Sequence, residues 1–315
     1  MRTVFIVNPK AGKGQGREKF IREIEEASRS SGIPVEIHST QGVGDGEVLA
    51  AQLAKEAEAR EEKTRIIACG GDGTLNEVLN GAMHHKYVAI GVVPIGTGND
   101  FCRNFPDAGD FLDLEAQLHG KIMECDAIRY SGMLAGTERT RYCANMFNIG
   151  FDCNVVDLTA KLKNYPLIAG SMAYLLAVLC ILVKKKGADL KVELDGKVYE
   201  DGPVLLTAVA NGSFCGGGVK SAPNAKLDDG LMDVNIIYNV SRREFLSKFP
   251  AYSKGTHMQI PGIEKIICAK QCRHAVITPR RGTMRLCTDG EIVDAGRIEF
   301  EVVPKAFRLL LPAKA

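Results

Sequence analysis

Three glycine-rich loops in the first hundred residues each follow a short apolar run. They are residues 12–16 (GKGQG), 70–74 (GGDGT) and 96–100 (GTGND). Glycine allows backbone N–H groups to approach an anion closely, and the positive end of a following helix adds to the attraction. One such loop is often only a turn. Three loops at one end of one sheet predict a cradle for a polyphosphate, with Lys13 as a charge clamp.

Two of these loops also carry a carboxylate, at Asp72 and at Asp100. A carboxylate beside a phosphate is repulsive unless a cation lies between them, and Mg²⁺ held by carboxylate and phosphate oxygens is the usual solution. Each aspartate could instead cap a following helix, and this alternative stays open. The pattern predicts a nucleotide bound with Mg²⁺, and Asp100 is a candidate metal ligand.

The elements that position these loops alternate between strands and helices. Apolar runs with β-branched residues predict strands, whereas segments with a 3.6-residue apolar period predict helices. The predicted strands are 3–7, 35–38, 65–69 and 88–93, and the predicted helices are 17–31, 47–60 and 75–83. Nearly continuous apolar strands that alternate with helices indicate a parallel sheet covered on both faces. Ligands of such sheets bind beyond the carboxyl ends of the strands, where the glycine loops lie.

After about residue 124 the pattern changes to one dominated by strands and turns. The predicted strands are 142–149, 190–194, 204–210, 231–237, 275–278, 284–287 and 297–303. A chain of 315 residues is long enough for two domains. We therefore expect a nucleotide-binding α/β domain over 1–125 and a second, β-rich domain over 126–303. The C-terminal segment 304–315 is expected to pack back on the first domain.

Composition excludes several classes of protein. The 40 basic and 38 acidic side chains leave a net charge of +2, which gives no general electrostatic basis for binding nucleic acid. The absence of tryptophan argues against stacking platforms for single strands. The ten cysteines are dispersed without a Cys-x-x-Cys pair, which favours reduced thiols and a cytoplasmic location.

One uncharged segment stands out in the second half of the chain. Residues 164–183 contain no charge, and Lys184, Lys185 and Lys186 follow at once. The segment 165–186 could be a transmembrane helix, a helix packed on the β-rich domain, or a peripheral helix that meets anionic lipid through its lysines. Its uniformly apolar part, 172–183, would extend only ~18 Å as a helix. We therefore favour the packed or the peripheral form.

Residues 70–77 (GGDGTLNE) and 94–101 (PIGTGNDF) resemble the signature of the diacylglycerol kinase catalytic domain. The chain is similar to the soluble bacterial lipid kinases of that superfamily, which also contains sphingosine and ceramide kinases. Residues 7–14 (VNPKAGKG) resemble the family's phosphate loop, and 226–232 (KLDDGLM) and 288–291 (TDGE) resemble two further motifs. The resemblance spans nearly the whole chain.

The resemblance implies an α/β domain like that of phosphofructokinases and a C-terminal β-sandwich like that of NAD kinases, with ATP bound between them. It also implies that the β-rich domain over 126–303 is the lipid-acceptor domain. Together with the glycine loops, it implies a set of nucleotide-binding residues. These are Asn8, Pro9, Lys10, Ala11, Gly12, Lys13, Thr40, Gly71, Asp72, Gly73, Thr74, Asn76, Glu77, Gly96, Thr97, Asn99, Asp100 and Glu291.

The resemblance also implies the catalytic and metal-binding residues. Asp289 matches the general base of the bacterial branch, whereas the sphingosine kinase branch assigns that role to the position of Asp72, so both remain candidates. Taken alone, Asp289-Gly290 would instead predict a hairpin turn. A structural Mg²⁺ is implied at Asp229 with backbone oxygens of Lys226 and Leu231, and Asp126 resembles a carboxylate of the charged network near this metal.

The resulting expectation is an ATP-dependent lipid kinase that phosphorylates a lipid hydroxyl, with diacylglycerol as the favoured acceptor and phosphatidic acid as the product. A nucleotide kinase similar to NAD kinase is an alternative, and so is a non-catalytic sensor of nucleotide or lipid. The lipid kinase would be cytoplasmic and would contact the inner face of the membrane transiently. No nucleic acid partner is expected, and a homodimer is possible.

Overall fold

The computed structural model describes residues 1–11, 17–151, 153, 155, 158 and 187–313. The chain folds into two compact units. The first comprises Met1–Asp126 and Lys305–Ala315, and the second comprises Ala127–Pro304. The nucleotide-binding and lipid-acceptor roles expected of the two segments stay predictions.

A parallel sheet forms the centre of the first unit. Its strands are β1 (Arg2–Val7), β2 (Glu36–Ser39), β3 (Thr64–Gly70) and β4 (Val88–Pro94), in the order β2-β1-β3-β4. The far end of the last strand of the chain, β14 (Glu291–Leu311), continues this sheet, because Leu309 pairs in parallel with Ile90 of β4. The strands β1, β3 and β4 are almost entirely buried, as expected for a parallel sheet with both faces covered.

Helices connect and cover the strands of the first unit. They are α1 (Arg17–Ser31), α2 (Asp45–Ala59), α3 (Asp72–Ala82) and α4 (Leu114–Leu118), with short 3₁₀ turns at Cys102–Asn104 and Ala108–Leu112. Ile24 and Ala27 of α1 are buried against Phe5 and Ile67 of the sheet. The helices α2 and α3 pack very closely, because a Cβ atom on Gly81 would lie 2.2 Å from the carbonyl oxygen of Glu47.

The second unit consists mainly of antiparallel strands. They are β5 (Lys121–Leu134), β6 (Thr137–Cys143), β7 (Met146–Gly150), β8 (Ala188–Leu194), β9 (Lys197–Ala210), β10 (Met232–Tyr238), β11 (Ile267–Cys272), β12 (His274–Pro279), β13 (Met284–Thr288) and most of β14. The order is β11-β10-β9-β7-β13-β14, and β12 pairs with β8 and β14. The long strands β5 and β14 contain the boundaries between the units.

The core of the second unit is built around three aromatic rings. Phe147 lies between Tyr130 and Phe300, with centroid distances of 4.8 and 5.0 Å and edge-to-face geometry. A helix of 13 residues, α5 (Arg242–Lys254), follows β10, and 3₁₀ turns at His257–Gln259 and Ile263–Lys265 follow the helix.

The structure corrects the predicted strand over 142–149. The strand β6 ends at Cys143 and β7 begins at Met146. The chain turns between them because the carbonyl of Asn145 accepts the N–H groups of Asn211 and Gly212, at 2.8 and 2.9 Å. These partners lie more than sixty residues away, so local propensity could not reveal the break.

The uncharged segment 165–186, including Lys184, Lys185 and Lys186, lies outside the described residues. In the parts of the chain that the structure describes, none of the helices has the length and apolar character needed to cross a membrane.

Candidate functional site

The second and third glycine loops pack backbone against backbone at the carboxyl ends of β3 and β4. Gly96 donates its N–H to the carbonyl of Gly70 at 3.1 Å. A Cβ atom on Gly96 would lie 2.3 Å from the Cα atom of Gly71, a distance that real side chains do not reach. Glycine is therefore required here, and the close contact brings both loops to one site.

The two loop carboxylates converge on a single point. A Cβ atom on Gly98 would lie 2.9 Å from Oδ2 of Asp72 and 3.5 Å from Oδ2 of Asp100. The other oxygen of Asp72 accepts the N–H of Phe101 at 3.1 Å, and Arg103 lies 3.7 Å from Oδ1 of Asp100. One oxygen of each carboxylate therefore lies close to Gly98. Carboxylate oxygens are the ligands that a hard cation such as Mg²⁺ prefers.

The capping alternative does not account for Asp72. The N-cap of α3 is Gly71, and no side chain there accepts a capping hydrogen bond. The Asp72 carboxylate instead connects its own loop to the third loop through Phe101. Asn99 rigidifies that third loop, because its amide donates to the carbonyls of Pro94 and Gly96 at 2.8 and 3.0 Å.

The first phosphate loop adjoins the second through Asn8. The Asn8 amide donates to Oγ1 of Thr74 at 3.2 Å, and its Oδ1 accepts the N–H of Lys10 at 3.0 Å. Thr40 follows the neighbouring strand and donates its N–H to the carbonyl of Val7 at 3.0 Å. The structure therefore brings these predicted nucleotide-binding residues to adjacent strand ends. Gly12 and Lys13 lie outside the described residues.

Glu77 anchors the N-terminus of α2. Its two carboxylate oxygens accept the N–H groups of Gly44 and Gly46 at 2.8 and 3.0 Å, at the N-terminus of α2. A negative charge at this end of a helix is favourable, since the helix dipole is positive there. Nucleotide binding by Glu77 stays a prediction, while its role in anchoring α2 is visible in the structure.

Asp289 lies in a two-residue hairpin turn in the second unit. Thr288 pairs with Glu291, and both Asp289 and Gly290 have positive φ values, 47° and 93°. The hairpin expected from Asp289-Gly290 is therefore present, and it holds Glu291 at the start of β14. Asp289 also accepts hydrogen bonds on both carboxylate oxygens, from the N–H of Met146 and from the thiol of Cys143, each at 3.2 Å.

The aspartates predicted to bind or to lie near the structural metal are each held by local contacts. Asp229 is exposed, and its Oδ1 accepts the N–H of Leu231 at 3.0 Å in the turn that follows Lys226. Asp126 belongs to the first unit, is 1% exposed, and accepts the N–H of Lys305 at 2.8 Å. Among the described residues, no three His, Cys, Asp or Glu side chains are grouped to hold a metal ion. Metal binding at Asp229 therefore stays a prediction.

An apolar pocket of about 560 Å³, part of it open to solvent, lies in the second unit between α5 and the sheet. Phe245 and Phe249 of α5 stack at 5.5 Å, and Phe151 lies 5.3 Å from Phe245. The remaining lining residues are mostly aliphatic: Leu205, Leu206, Ile237, Val240, Glu244, Lys248, Tyr252, His257, Ile263, Ile266 and Ile267. A predominantly apolar lining is usual for small-molecule sites.

Sequence reasoning missed this pocket and the contacts that orient Asp289. The aromatic spacing on α5, with Phe245, Phe249 and Tyr252 on one face, was an available signal for a helix that covers an apolar surface. Cys143 gave no such signal, because its role depends on a hydrogen bond to a residue 146 positions away.

Comparison with known proteins places the chain in a family. Residues 2–130 match the model of the diacylglycerol kinase catalytic domain, and residues 145–311 match that of the YegS C-terminal NAD kinase beta sandwich-like domain. The chain is 30% identical to a diacylglycerol kinase of Bacillus subtilis (strain 168) over 294 residues, which cover 92% of this chain and 89% of that protein.

A second relative and a solved structure support the same family assignment. A diacylglycerol kinase of Staphylococcus aureus (strain bovine RF122 / ET3-1) is 31% identical over 296 residues, covering 92% of this chain and 86% of that protein. The crystal structure of a diacylglycerol kinase from Bacillus anthracis str. Sterne has the same fold, with a TM-score of 0.68 at 20% identity over 98% of this chain and 96% of that chain. The two family models and these relatives establish that the chain belongs to the diacylglycerol kinase family.

Proposed function

We propose that this protein transfers the γ-phosphate of ATP to the hydroxyl of a membrane lipid, with diacylglycerol as acceptor and phosphatidic acid as product. Membership of a kinase family makes it a phosphotransferase with ATP as substrate. The main structural support for the proposal is that the carboxylates of Asp72 and Asp100 both lie near Gly98, beside two glycine loops that pack backbone against backbone.

The first unit would bind and orient the nucleotide. Backbone N–H groups of the glycine loops would hold the phosphates, and Asn8 and Thr74 would fix the relative position of the first two loops. Asp72 and Asp100 would hold Mg²⁺, which when bound neutralises charge on the phosphates. Most of the acceleration would come from this positioning and charge stabilisation.

Asp289 would accept the proton of the lipid hydroxyl. A lipid hydroxyl is a poor acid, so a carboxylate that takes up its proton during attack lowers the barrier. The turn geometry supports this role, because the positive φ of Asp289 and two hydrogen bonds on its carboxylate hold the side chain in one orientation.

The apolar pocket of the second unit supports a lipid acceptor. Among the described lining residues, aromatic and aliphatic side chains predominate and the charged ones are Glu244 and Lys248, a composition that suits an acyl chain better than a nucleotide. An acceptor embedded in a bilayer would also require peripheral contact with the inner face of the membrane.

The proposed function can be tested with radiolabelled ATP. The purified protein would be offered diacylglycerol, phosphatidylglycerol, a sphingoid base and ceramide in mixed micelles, with NAD as a parallel acceptor. We expect labelled phosphatidic acid as the principal product. Label in NAD alone would support the nucleotide kinase instead, and no labelled product from any acceptor would defeat the proposal.

The pocket makes a separate prediction about lipid affinity. Phe249→Ser removes part of the pocket wall, and loss of a partly buried phenyl group should raise the KM for lipid about tenfold. Leu246→Ser is the matched control, because Leu246 is on the same helix but is 46% exposed and is not among the lining residues.

Both variants should leave the KM for ATP unchanged, and initial rates at varied lipid and ATP concentrations measure the two constants. Equal lipid KM values for Phe249→Ser and Leu246→Ser would show that the acyl chain binds elsewhere.

A further inference from the structure

Three hydrogen bonds tie Asp289 to the turn between β6 and β7. Its N–H donates to the carbonyl of Met146 at 3.2 Å. Its Oδ1 accepts the N–H of Met146, and its Oδ2 accepts the thiol of Cys143, both at 3.2 Å. Each carboxylate oxygen therefore accepts a hydrogen bond from this turn, and the two bonds fix the orientation of the side chain.

The thiol of Cys143 acts as the donor in its contact. Cys143 is 0% exposed, and burial together with the nearby Asp289 charge raises the pKa of this thiol well above its ordinary value. The thiol therefore keeps its proton, and an ionised carboxylate can only accept. A thiol is a weak donor, so it can fix the orientation of an oxygen while stabilising its negative charge less than a hydroxyl would.

We propose that Cys143 is a positioning residue that holds Oδ2 of Asp289 in place while leaving the carboxylate basic enough to accept the proton of the acceptor hydroxyl. This inference rests on the proposed function, in which Asp289 is the base. Cys143 itself does not touch the reacting atoms in this scheme; it acts through Asp289.

Among the described residues, Cys143 at the end of β6 and Tyr130 on β5 are titratable side chains that interact electrostatically with the Asp289 carboxylate, and both stay neutral. Burial raises the pKa of Tyr130 to about 12. Because Cys143 carries no charge, its substitution changes the proton affinity of Asp289 through the lost or altered hydrogen bond.

The test compares Cys143→Ser, which replaces a weak donor with a stronger one, with Cys143→Ala, which removes the donor. The ¹³C resonance of the Asp289 carboxyl, assigned by its loss in Asp289→Asn, is titrated in each protein. We expect the midpoint to fall in Cys143→Ser and to rise in Cys143→Ala, by about half a pH unit each. Cys272→Ser is the matched control, because Cys272 is buried in the same core and should leave the midpoint unchanged.

Turnover provides the second measurement. Cys143→Ala should lower kcat about three- to tenfold, as expected for one hydrogen bond, with the KM for ATP unchanged. In an Asp289→Asn background the same change should have no further effect, because Cys143 acts through the carboxylate. A packing role alone would lower kcat equally in both backgrounds.

The proposal is overturned by an unmoved midpoint in Cys143→Ser, by equal effects in the two backgrounds, or by wild-type turnover in Asp289→Asn. Failure of the wild-type protein to phosphorylate any lipid would overturn the proposed function instead. The titration is read without turnover, so the two failures are distinguishable.

Discussion

At the scale of single residues, two aspartates compete for the role of base. Asp72 accepts the N–H of Phe101 on Oδ1, and its Oδ2 lies near Gly98 together with that of Asp100, which suits a cation bound with a nucleotide. Asp289 is held by a backbone N–H and a thiol, which is an arrangement suited to directing a lone pair. Their surroundings differ enough for substitution to separate the two roles.

Asp289→Asn should lower turnover about 10²- to 10⁴-fold, since the amide cannot accept the hydroxyl proton. Binding of ATP should remain close to that of the unmodified protein. Asp72→Asn should weaken binding of ATP with Mg²⁺, because one of two carboxylates at Gly98 loses its charge. Calorimetric titration with ATP and steady-state turnover separate the two effects. Normal turnover in Asp289→Asn would remove Asp289 as the base.

At the scale of elements, Glu77 connects two helices that flank the glycine loops. It lies in the second turn of α3, and its carboxylate satisfies N–H groups at the N-terminus of α2. A Cβ atom on Gly46 would lie 2.6 Å from Oε2 of Glu77, so the carboxylate sits directly against the helix backbone. This contact orients the segment that follows Thr40, whose own backbone is fixed to β1.

Glu77→Gln should destabilise the protein by about 1–2 kcal/mol in the absence of ATP, because the amide lacks the charge and can accept through only one oxygen. Urea denaturation measures the change, and Glu26→Gln on the exposed face of α1 is the control. Unchanged stability of Glu77→Gln would indicate that the side chain serves only the nucleotide.

Elements were predictable where local pattern and tertiary role agree. The sequences of strands β1, β3 and β4 are nearly continuous apolar runs, because both faces of the parallel sheet are covered. The glycine loops were predictable because contacts such as Gly96 against Gly71 admit no side chain. The turn at Asn145 and the thiol of Cys143 depend on distant partners, so no local pattern could reveal their roles.

At the scale of the whole molecule, sequence motifs identified the family but not the acceptor. The family models match residues 2–130 and 145–311 of this chain, and the Bacillus subtilis relative is aligned over 89% of its own length. The pocket that we propose for the acyl chain is lined by side chains dispersed over strands β9 and β10 and helix α5, and most of them share only apolar character. The membrane contact of segment 165–186 and a homodimer stay predictions.

The path of β14 has a consequence for the order in which the protein can fold. Its 21 residues begin beside the Asp289 hairpin and end in the parallel sheet of the first unit, where Leu309 pairs with Ile90 and Arg308 donates to the carbonyl of Val88. While the chain is being synthesised, β4 is therefore an exposed edge strand for as long as residues 305–311 are missing. The parallel sheet of the first unit is therefore completed only when residues 305–311 have been made, long after the strands β1 to β4.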